Sequence, residues 1–220
     1  MPSALVESLT RSLAMVEISN WVASHCSPCR TVSVEKVERV YDLIGDRVGR
    51  KQTLYLEFGV WKGYSIRYWS RLLKHPQSML HGFDSFEGLP ESWTAFYRGG
   101  AFSEAGQIPE VSDNRVKFFK GWFEERLPNY VSPRHDVLVV NIDYNIYPSA
   151  KYGVESLRKM ELSKPGSWIY LDELGSRDHE FRAFREFVKQ QECGSNWWLK
   201  PTTCGTSRLG ALPSSESVLA

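Results

Sequence analysis

Four acidic residues lie where apolar runs of the chain end, and carboxylates in such positions can bind a polar ligand or accept a proton. The runs end at or near Glu57, Asp84, Asp143 and Asp172. Open α/β sheets bind ligands in a crevice at the carboxyl ends of their strands, where a carboxylate can bond sugar hydroxyls, coordinate Mg²⁺ or act as a base. One such acid alone could simply cap a helix or a turn. Four on the same rim predict a binding site.

The turn after the first apolar run indicates the kind of ligand. Residues 55–63 read Tyr-Leu-Glu-Phe-Gly-Val-Trp-Lys-Gly, an apolar strand that enters a glycine-bounded turn. Asp84 follows Gly59 by 25 residues, the interval that a strand, a helix and a second strand occupy in nucleoside-binding folds. A dinucleotide fingerprint needs a third glycine, whereas this turn has only Gly59 and Gly63. We therefore expect a nucleoside with an amino-acid tail, and S-adenosylmethionine is such a ligand.

The elements that position these acids can be predicted from hydrophobic periodicity. Apolar residues at helical spacing, Leu5, Leu9, Leu13 and Val16 among them, predict a helix from about residue 4 to 24, and a second helix follows Ser33. Strands and helices then alternate, with strands predicted at 53–58, 79–83, 116–119, 136–142, 168–171, 197–200 and 207–212. This order predicts a Rossmann-like three-layer α/β/α sandwich with a mostly parallel, seven-stranded sheet.

The chain divides into a helical cap and a core. We place the N-terminal helical cap at residues 1–50 and the cofactor-binding core at residues 51–220, within one domain overall. Residues 84–113 are rich in Gly, Pro, Ser and aromatic residues and have no clear periodicity. In a compact domain such a segment is usually a functional loop or a lid.

Composition narrows the class of protein and of partner. The 220 residues carry a net charge of +1, and basic and acidic residues are interleaved, which argues against a nucleic-acid or membrane partner and favours a small molecule. No stretch approaches the ~20 apolar residues of a membrane span, and no signal segment is recognisable, so we expect a cytoplasmic protein. Cys26 and Cys29 have the spacing of half a zinc site, but Cys193 and Cys204 form no second short pair, which favours free thiols.

Three motifs occur in order along the core: Glu-Phe-Gly-Val-Trp-Lys-Gly at 57–63, Gly-Phe-Asp-Ser-Phe-Glu-Gly-Leu-Pro at 82–90, and Lys-Gly-Trp-Phe-Glu-Glu-Arg-Leu-Pro at 120–128. Further matching segments are Ile-Asp-Tyr-Asn-Ile-Tyr-Pro-Ser at 142–149 and Asp-His-Glu-Phe-Arg-Ala-Phe at 178–184. Together these motifs resemble class I S-adenosylmethionine-dependent methyltransferases, specifically the macrocin O-methyltransferase-like group. The similarity covers roughly residues 54–188.

The resemblance implies an enzyme that transfers a methyl group from S-adenosylmethionine to a small-molecule hydroxyl in secondary metabolism. It implies that the turn from Gly59 to Gly63 and Ser65 hold the methionine part, that Asp84 bonds the ribose hydroxyls, and that Trp122 lies near the adenine. The cofactor-binding residues implied in this way are Glu57, Phe58, Gly59, Val60, Gly63, Ser65, Asp84, Ser85, Phe86, Gly121, Trp122 and Asp143.

The resemblance also implies a metal site, since members that use a metal draw it from acids after the fourth and fifth strands. These acids correspond to Asp143 and to Asp172 with Glu173, and oxygen ligands of this kind suit Mg²⁺. The family usually has a second Asp where this chain has Asn145, an amide that can coordinate but cannot take a proton at ordinary pH. Either Asp143 is both ligand and base, or the metal is lost, or the acceptor needs no strong base.

Two histidines are substitute bases by residue type, because imidazole titrates near neutral pH. His179 is the one that we place with Asp143 in the catalytic set, and His135 is the other. Each histidine could equally be a surface residue or the start of a helix.

Three other functions fit part of the pattern. A member of the same fold could methylate nitrogen or carbon instead of oxygen. A nicotinamide-dependent oxidoreductase would share the acid at the strand end but lacks the pyrophosphate glycines. A non-catalytic interaction protein would explain Asn145 and would use the apolar N-terminal helices, which could form the face of a homodimer.

Overall fold

A computed structural model shows how the predicted elements assemble into one sheet with helices on both sides. Structure is described for residues 9, 12–14, 16–21, 24, 36–92, 97–144, 146–160, 162, 166–172, 179–190, 197–201 and 209–213. Asn145 and Glu173, two residues of interest in the sequence, lie outside these ranges.

Five strands form the parallel part of the sheet, and two antiparallel strands extend one edge. The parallel strands are β1 (Thr53–Phe58), β2 (Met79–Asp84), β3 (Val116–Lys120), β4 (Val137–Ile142) and β5 (Trp168–Leu171). The antiparallel strands are β6 (Trp197–Pro201) and β7 (Leu209–Pro213), and the order across the sheet is β3-β2-β1-β4-β5-β7-β6. The predicted α/β fold with a parallel sheet is confirmed, and the strand bounds agree to within two residues.

Helices cover both faces of the sheet and form the two outer layers of the sandwich. They are α1 (Val37–Val48), α2 (Tyr64–Leu72), α3 (Phe123–Arg126), α4 (Tyr147–Lys159) and α5 (Glu180–Gln190), with a 3₁₀ turn at Leu127–Asn129. Because successive side chains of a strand point to opposite faces, β1 contributes to both cores. Tyr55 belongs to the core under α1 and α2, and Leu56 to the core under α4 and α5. All six residues of β1 are buried, as expected for a central strand.

The described residues between 9 and 24 are helical and pack against α5 with a face that the sequence pattern did not single out. Ala14, Ile18 and Trp21 are buried, and Trp21 contacts the rings of Phe181 and Phe184 edge-on. The predicted apolar stripe lies on another side of the helix, where its described members Leu9, Leu13 and Val16 are exposed. The helix therefore has two apolar faces, each spaced i, i+4, i+7, and periodicity alone cannot choose which face is buried.

The carboxyl ends of β1 to β5 share one edge of the sheet because these strands are parallel. The segment between β2 and β3 contains no helix or strand among its described residues 85–92 and 97–115, as the sequence predicted. In the described part of the chain, no helix is both long enough and apolar enough to span a bilayer.

Candidate functional site

A cavity of about 620 Å³ opens at the carboxyl edge of the parallel strands. Its volume falls in the range of small-molecule sites, about 300–1,000 Å³. The segments that follow each of the five parallel strands contribute to its walls. The lining residues that the sequence predicted for a cofactor or a metal are Gly59, Asp84, Ser85, Gly121, Trp122, Asp143 and Asp172. The structure thus brings together most of the predicted rim, including acids from the ends of β2, β4 and β5.

The turn after β1 passes so close to the end of β4 that only glycine fits at the first position of the turn. Gly59 has a φ of 85°, and a Cβ on it would lie 2.1 Å from the carbonyl oxygen of Asp143. The Asp143 amide in turn donates to the carbonyl of Phe58 at 2.9 Å. The turn ends at Gly63, which has a φ of 73° and immediately precedes α2. The two predicted glycines therefore have conformational roles, and the turn and the loop after β4 form one rigid wall.

Asp84 at the end of β2 holds this turn through its side chain. One carboxylate oxygen accepts hydrogen bonds from the backbone amides of Val60 (2.7 Å) and Trp61 (2.8 Å), and the other accepts from the amide of Phe86 (2.7 Å). A carboxylate has about four lone-pair positions, so roughly one remains for a ligand hydroxyl. Asp84 lines the cavity, and its described contacts also organise the backbone around it. Its role in bonding a ribose stays a prediction.

Glu57 and Ser65 lie beneath the turn, not on the cavity wall. Glu57 is 1% exposed; it accepts hydrogen bonds from the Ser65 hydroxyl and from the Tyr55 hydroxyl, the latter at 3.1 Å. Burial raises the pKa of Glu57 to about 8, and the charge of Asp84 adds to the increase, while the hydrogen bonds from Ser65, Tyr55 and Asn141 oppose it. These contacts fix the start of α2 against β1. Glu57 supports the turn from within the core, and the partly buried Ser65 joins it to the first turn of α2.

The other predicted cofactor residues divide between the wall and its support. Ser85 and Trp122 line the cavity, and the Gly121 amide donates to the Asp84 carbonyl at 3.0 Å, which joins the loops after β2 and β3. Phe86 is 1% exposed and belongs to the core under α1 and α2. Of the predicted residues that the structure describes, those that do not line the cavity are Glu57, Phe58, Val60, Gly63, Ser65, Phe86 and His179.

The loop after β4 is held by the first residues of the last helix. The amide of Tyr144 donates to the buried carboxylate of Glu180 at 2.8 Å, and the amide of Tyr147 donates to Nδ1 of His179 at 3.1 Å. A neutral imidazole that accepts at Nδ1 carries its proton on Nε2. His179 therefore presents a donor at its remaining nitrogen in this tautomer, and its role as a base stays a prediction. His135 precedes β4, at the opposite edge of the sheet, and the six-residue strand separates it from the cavity, so it is wrong as a base for this site.

Two carboxylates on the wall have the chemistry of a Mg²⁺ site. Asp143 and Asp172 both line the cavity, and the Tyr170 hydroxyl donates to Asp172 at 2.7 Å. Mg²⁺ is commonly held by one or two carboxylates and several waters, so this donor set fits the ion. Within the described ranges, no group of three or more His, Cys, Asp and Glu side chains is arranged to hold a metal. Glu173, the third predicted ligand, lies outside those ranges.

Sequence reasoning missed an aromatic cluster at the mouth of the cavity. The ring of Phe102 lies 5.6 Å from that of Trp61 and 5.1 Å from that of Tyr97, and all three residues line the cavity. The richness of residues 84–113 in aromatic residues was the only signal, because contacts between Trp61 and that segment require the folded chain.

Glu180 was also missed by sequence reasoning. It appeared only as part of the motif at 178–184 that carried the resemblance.

A family model described as a methyltransferase domain matches residues 56–174, more than half of the chain. A curated relative, the 8-demethyl-8-(2,3-dimethoxy-α-L-rhamnosyl)-tetracenomycin-C 4'-O-methyltransferase of Streptomyces olivaceus, is 28% identical over 138 residues. The match covers 54% of this chain and 51% of the relative, so the chain spans about half the length of the curated relative that it matches.

Solved structures show the same fold at low sequence identity. The O-methyltransferase NovP superimposes with a TM-score of 0.54 at 20% identity, covering 80% of this chain and 77% of NovP. CalS11, a TDP-rhamnose 3'-O-methyltransferase, gives a TM-score of 0.52 at 20% identity, with 81% and 77% covered. TomG from Streptomyces achromogenes, solved in complex with S-adenosylmethionine, gives 0.50 at 18% identity, with 83% and 82% covered.

Proposed function

The chain belongs to the methyltransferase domain family, and we propose that it transfers the methyl group of S-adenosylmethionine to a hydroxyl group of a small molecule. The observation that carries the proposal is the cavity at the carboxyl edge, whose wall combines the turn at Gly59, the Asp84 carboxylate and the Asp143 carboxylate. The curated relative methylates a sugar hydroxyl according to its name, which supports oxygen as the acceptor atom and a role in secondary metabolism.

The residues on the wall can orient both reactants, and orientation is most of what this reaction needs. The cofactor supplies a methyl group already activated on a sulfonium, so the protein must align it with the acceptor oxygen and exclude water. The backbone of the turn at Gly59 and the carboxylate of Asp84 would hold the cofactor tail and ribose, and Trp122 would border the adenine. Asp143 lies on the same wall and is the residue that we assign to take the hydroxyl proton.

Mg²⁺ would bind through Asp143 and Asp172, with Glu173 as a further ligand. A cation in contact with the acceptor hydroxyl lowers the pKa of that hydroxyl. In this form of the proposal, the two described carboxylates would hold the ion.

Binding of the cofactor tests the proposal directly. We expect calorimetry with S-adenosylmethionine and with its demethylated product S-adenosylhomocysteine to show one site per chain. Gly59→Ala should abolish binding, because its Cβ would collide with the Asp143 carbonyl. A folded wild-type protein that binds neither compound would refute the proposal.

The roles of base and metal ligand can be separated with one variant and one reagent. We expect Asp143→Ala to reduce labelled methyl transfer by at least about 100-fold, in line with the loss of a general base. Asp136→Ala is the matched control, because Asp136 is exposed and precedes β4 at the opposite edge of the sheet. Activity that survives a chelator while Asp143→Ala is inactive would assign Asp143 as base alone; activity lost in both would support the metal.

The remaining alternatives have their own tests. A rise in melting temperature with NAD or NADP, and none with S-adenosylhomocysteine, would favour the oxidoreductase. Cofactor binding without methyl transfer to any acceptor class would favour the non-catalytic protein. NMR of the product distinguishes methylation at oxygen from methylation at nitrogen or carbon, because the chemical shift of the new methyl group depends on the atom to which it is bonded.

A further inference from the structure

The mouth of the cavity carries three aromatic side chains that make up a continuous surface. Trp61 is 45% exposed and Tyr97 is 43% exposed, and Phe102 lies between them, edge-on to Trp61 and stacked on Tyr97. We call these three residues the aromatic platform. Large apolar side chains exposed together on a cavity wall usually mark a place where a ligand binds.

The platform joins two segments that other contacts already hold together. Lys62, next to Trp61, forms an ion pair with Glu104 at 3.8 Å, and its Nζ lies 4.8 Å from the centre of the Trp61 ring. The amides of Glu104 and Gly106 both donate to the Phe86 carbonyl, at 3.1 and 2.8 Å. The residues that follow Phe102 are therefore bonded to the start of the loop after β2, and the Lys62–Glu104 ion pair links them to the turn after β1.

Two of the platform residues are held in a backbone conformation that aromatic residues rarely adopt. Trp61 has a φ of 48° and Phe102 a φ of 64°, both in the left-handed region. Strained residues of this kind persist only where the surrounding structure imposes them, and they concentrate at ligand sites. The two rings meet edge-on, and both residues line the cavity.

The charge of the cavity restricts what the platform can bind. Asp84, Glu91, Glu124, Asp143 and Asp172 contribute five carboxylates to the described lining, which includes no Lys, Arg or His. An anionic ligand would meet carboxylates at short range, where like charges repel most strongly. A neutral or cationic ligand avoids this repulsion, and S-adenosylmethionine itself carries a sulfonium.

We propose that the aromatic platform is the acceptor subsite and that it takes an uncharged ring, such as the sugar of a glycoside, in preference to an acceptor that carries phosphate or carboxylate groups. The inference rests on the proposed function, since it assigns to the acceptor the part of the cavity that the proposed cofactor-binding residues do not line. The ring faces supply an apolar surface for the acceptor, and the carboxylates select against anionic forms.

Two rhamnosides that differ in charge test the selectivity. Protein saturated with S-adenosylhomocysteine is titrated by calorimetry with 4-nitrophenyl α-L-rhamnoside, which is neutral, and with TDP-rhamnose, which carries a diphosphate. We expect the neutral rhamnoside to bind at least about tenfold more tightly, the ratio that a 1.4 kcal/mol difference produces. Equal affinity, tighter binding of TDP-rhamnose, or no binding of the neutral rhamnoside would overturn the inference.

Variants locate the subsite and separate this inference from the proposed function. Tyr97→Ala should weaken binding of the neutral rhamnoside by about tenfold and leave the affinity for S-adenosylhomocysteine unchanged. Met79→Ala is the matched control, because Met79 is 42% exposed but lies at the amino end of β2, away from the cavity. If Tyr97→Ala binds the rhamnoside as well as wild type does, the platform is not the subsite. If wild type binds no S-adenosylhomocysteine, the proposed function fails instead.

Discussion

At the residue scale, the cofactor turn is supported by a carboxyl group in an unusual ionisation state. Glu57 is buried under the turn, and burial raises its pKa from 4.5 to about 8. A carboxyl group with a raised pKa in the folded state binds protons more tightly there than in the unfolded chain. The contribution of Glu57 to stability is therefore largest at low pH and is lost as pH rises from about 4.5 to about 8.

Replacing Glu57 by Gln should remove this pH dependence. The amide has nearly the same size and does not ionise, so the free energy of unfolding of Glu57→Gln should fall less between about pH 5 and pH 9 than that of wild type. Urea denaturation at several pH values measures the difference. Glu110→Gln makes the same change at an exposed residue and should keep the wild-type slope. Identical slopes for wild type and Glu57→Gln would show that Glu57 does not titrate in this range.

A second prediction at the residue scale concerns the glycine that the turn requires. Gly59→Ala introduces both strain at a φ of 85° and a contact of 2.1 Å with the Asp143 carbonyl. We expect a loss of stability larger than the roughly 1–3 kcal/mol that a strained backbone conformation alone costs. Gly166→Ala separates the two effects, because Gly166 has a φ of 93° with no described atom within 4 Å of its Cβ position. Equal losses measured by urea denaturation would mean that the close approach has no part in the requirement.

At the element scale, the loop after β4 depends on the start of α5. Glu180 and His179 accept hydrogen bonds from the amides of Tyr144 and Tyr147, so the start of a helix distant in sequence holds the loop that follows Asp143. The strands and helices themselves were predictable, because their periodicity is local to each segment. This anchoring was not predictable, since it joins residues about 36 positions apart through a side chain and a backbone amide.

Removing the anchor should cost stability. Glu180→Ala leaves the buried amide of Tyr144 without its acceptor, and we expect a loss of about 1–3 kcal/mol. Glu180→Gln keeps a carbonyl oxygen at the same place and should lose less. Glu186→Ala on the same helix is the control, because that carboxylate is partly exposed and bonds the side chains of Lys151, Arg182 and Tyr147 but no buried amide, and such contacts are typically worth about 1 kcal/mol or less each. Denaturation curves in which Glu180→Ala resembles Glu186→Ala would contradict the anchoring role.

At the scale of the whole molecule, the N-terminal helix has one apolar face in the core and another at the surface. Ile18 and Trp21 are buried near α5, and Glu17 pairs with Arg185 at 2.8 Å. Leu9, Leu13 and Val16 are exposed on the other face. The homodimer predicted from the sequence would use this second face, where the three exposed apolar side chains form a stripe.

The predicted dimer can be tested with a single substitution that introduces a charge. Leu13→Glu places a carboxylate in the middle of the exposed stripe, and light scattering should then show a monomer where wild type is a dimer. Ser19→Glu adds the same charge at an exposed position of the same helix, away from the stripe, and should not change the mass. Wild type that is monomeric at all concentrations would refute the prediction.

The sequence by itself determined the order of strands and helices, the acidic rim and the family. These follow from local patterns: apolar periodicity within a segment, acids where strands end, and glycines in a turn. The tertiary structure decided which of those residues face the ligand. Glu57 is the next-to-last residue of β1 and Asp84 the last residue of β2, yet one lies in the core and the other on the cavity wall. The aromatic platform likewise arises only where two loops meet. Side-chain direction at a strand end depends on contacts between distant segments, and no local pattern encodes those contacts.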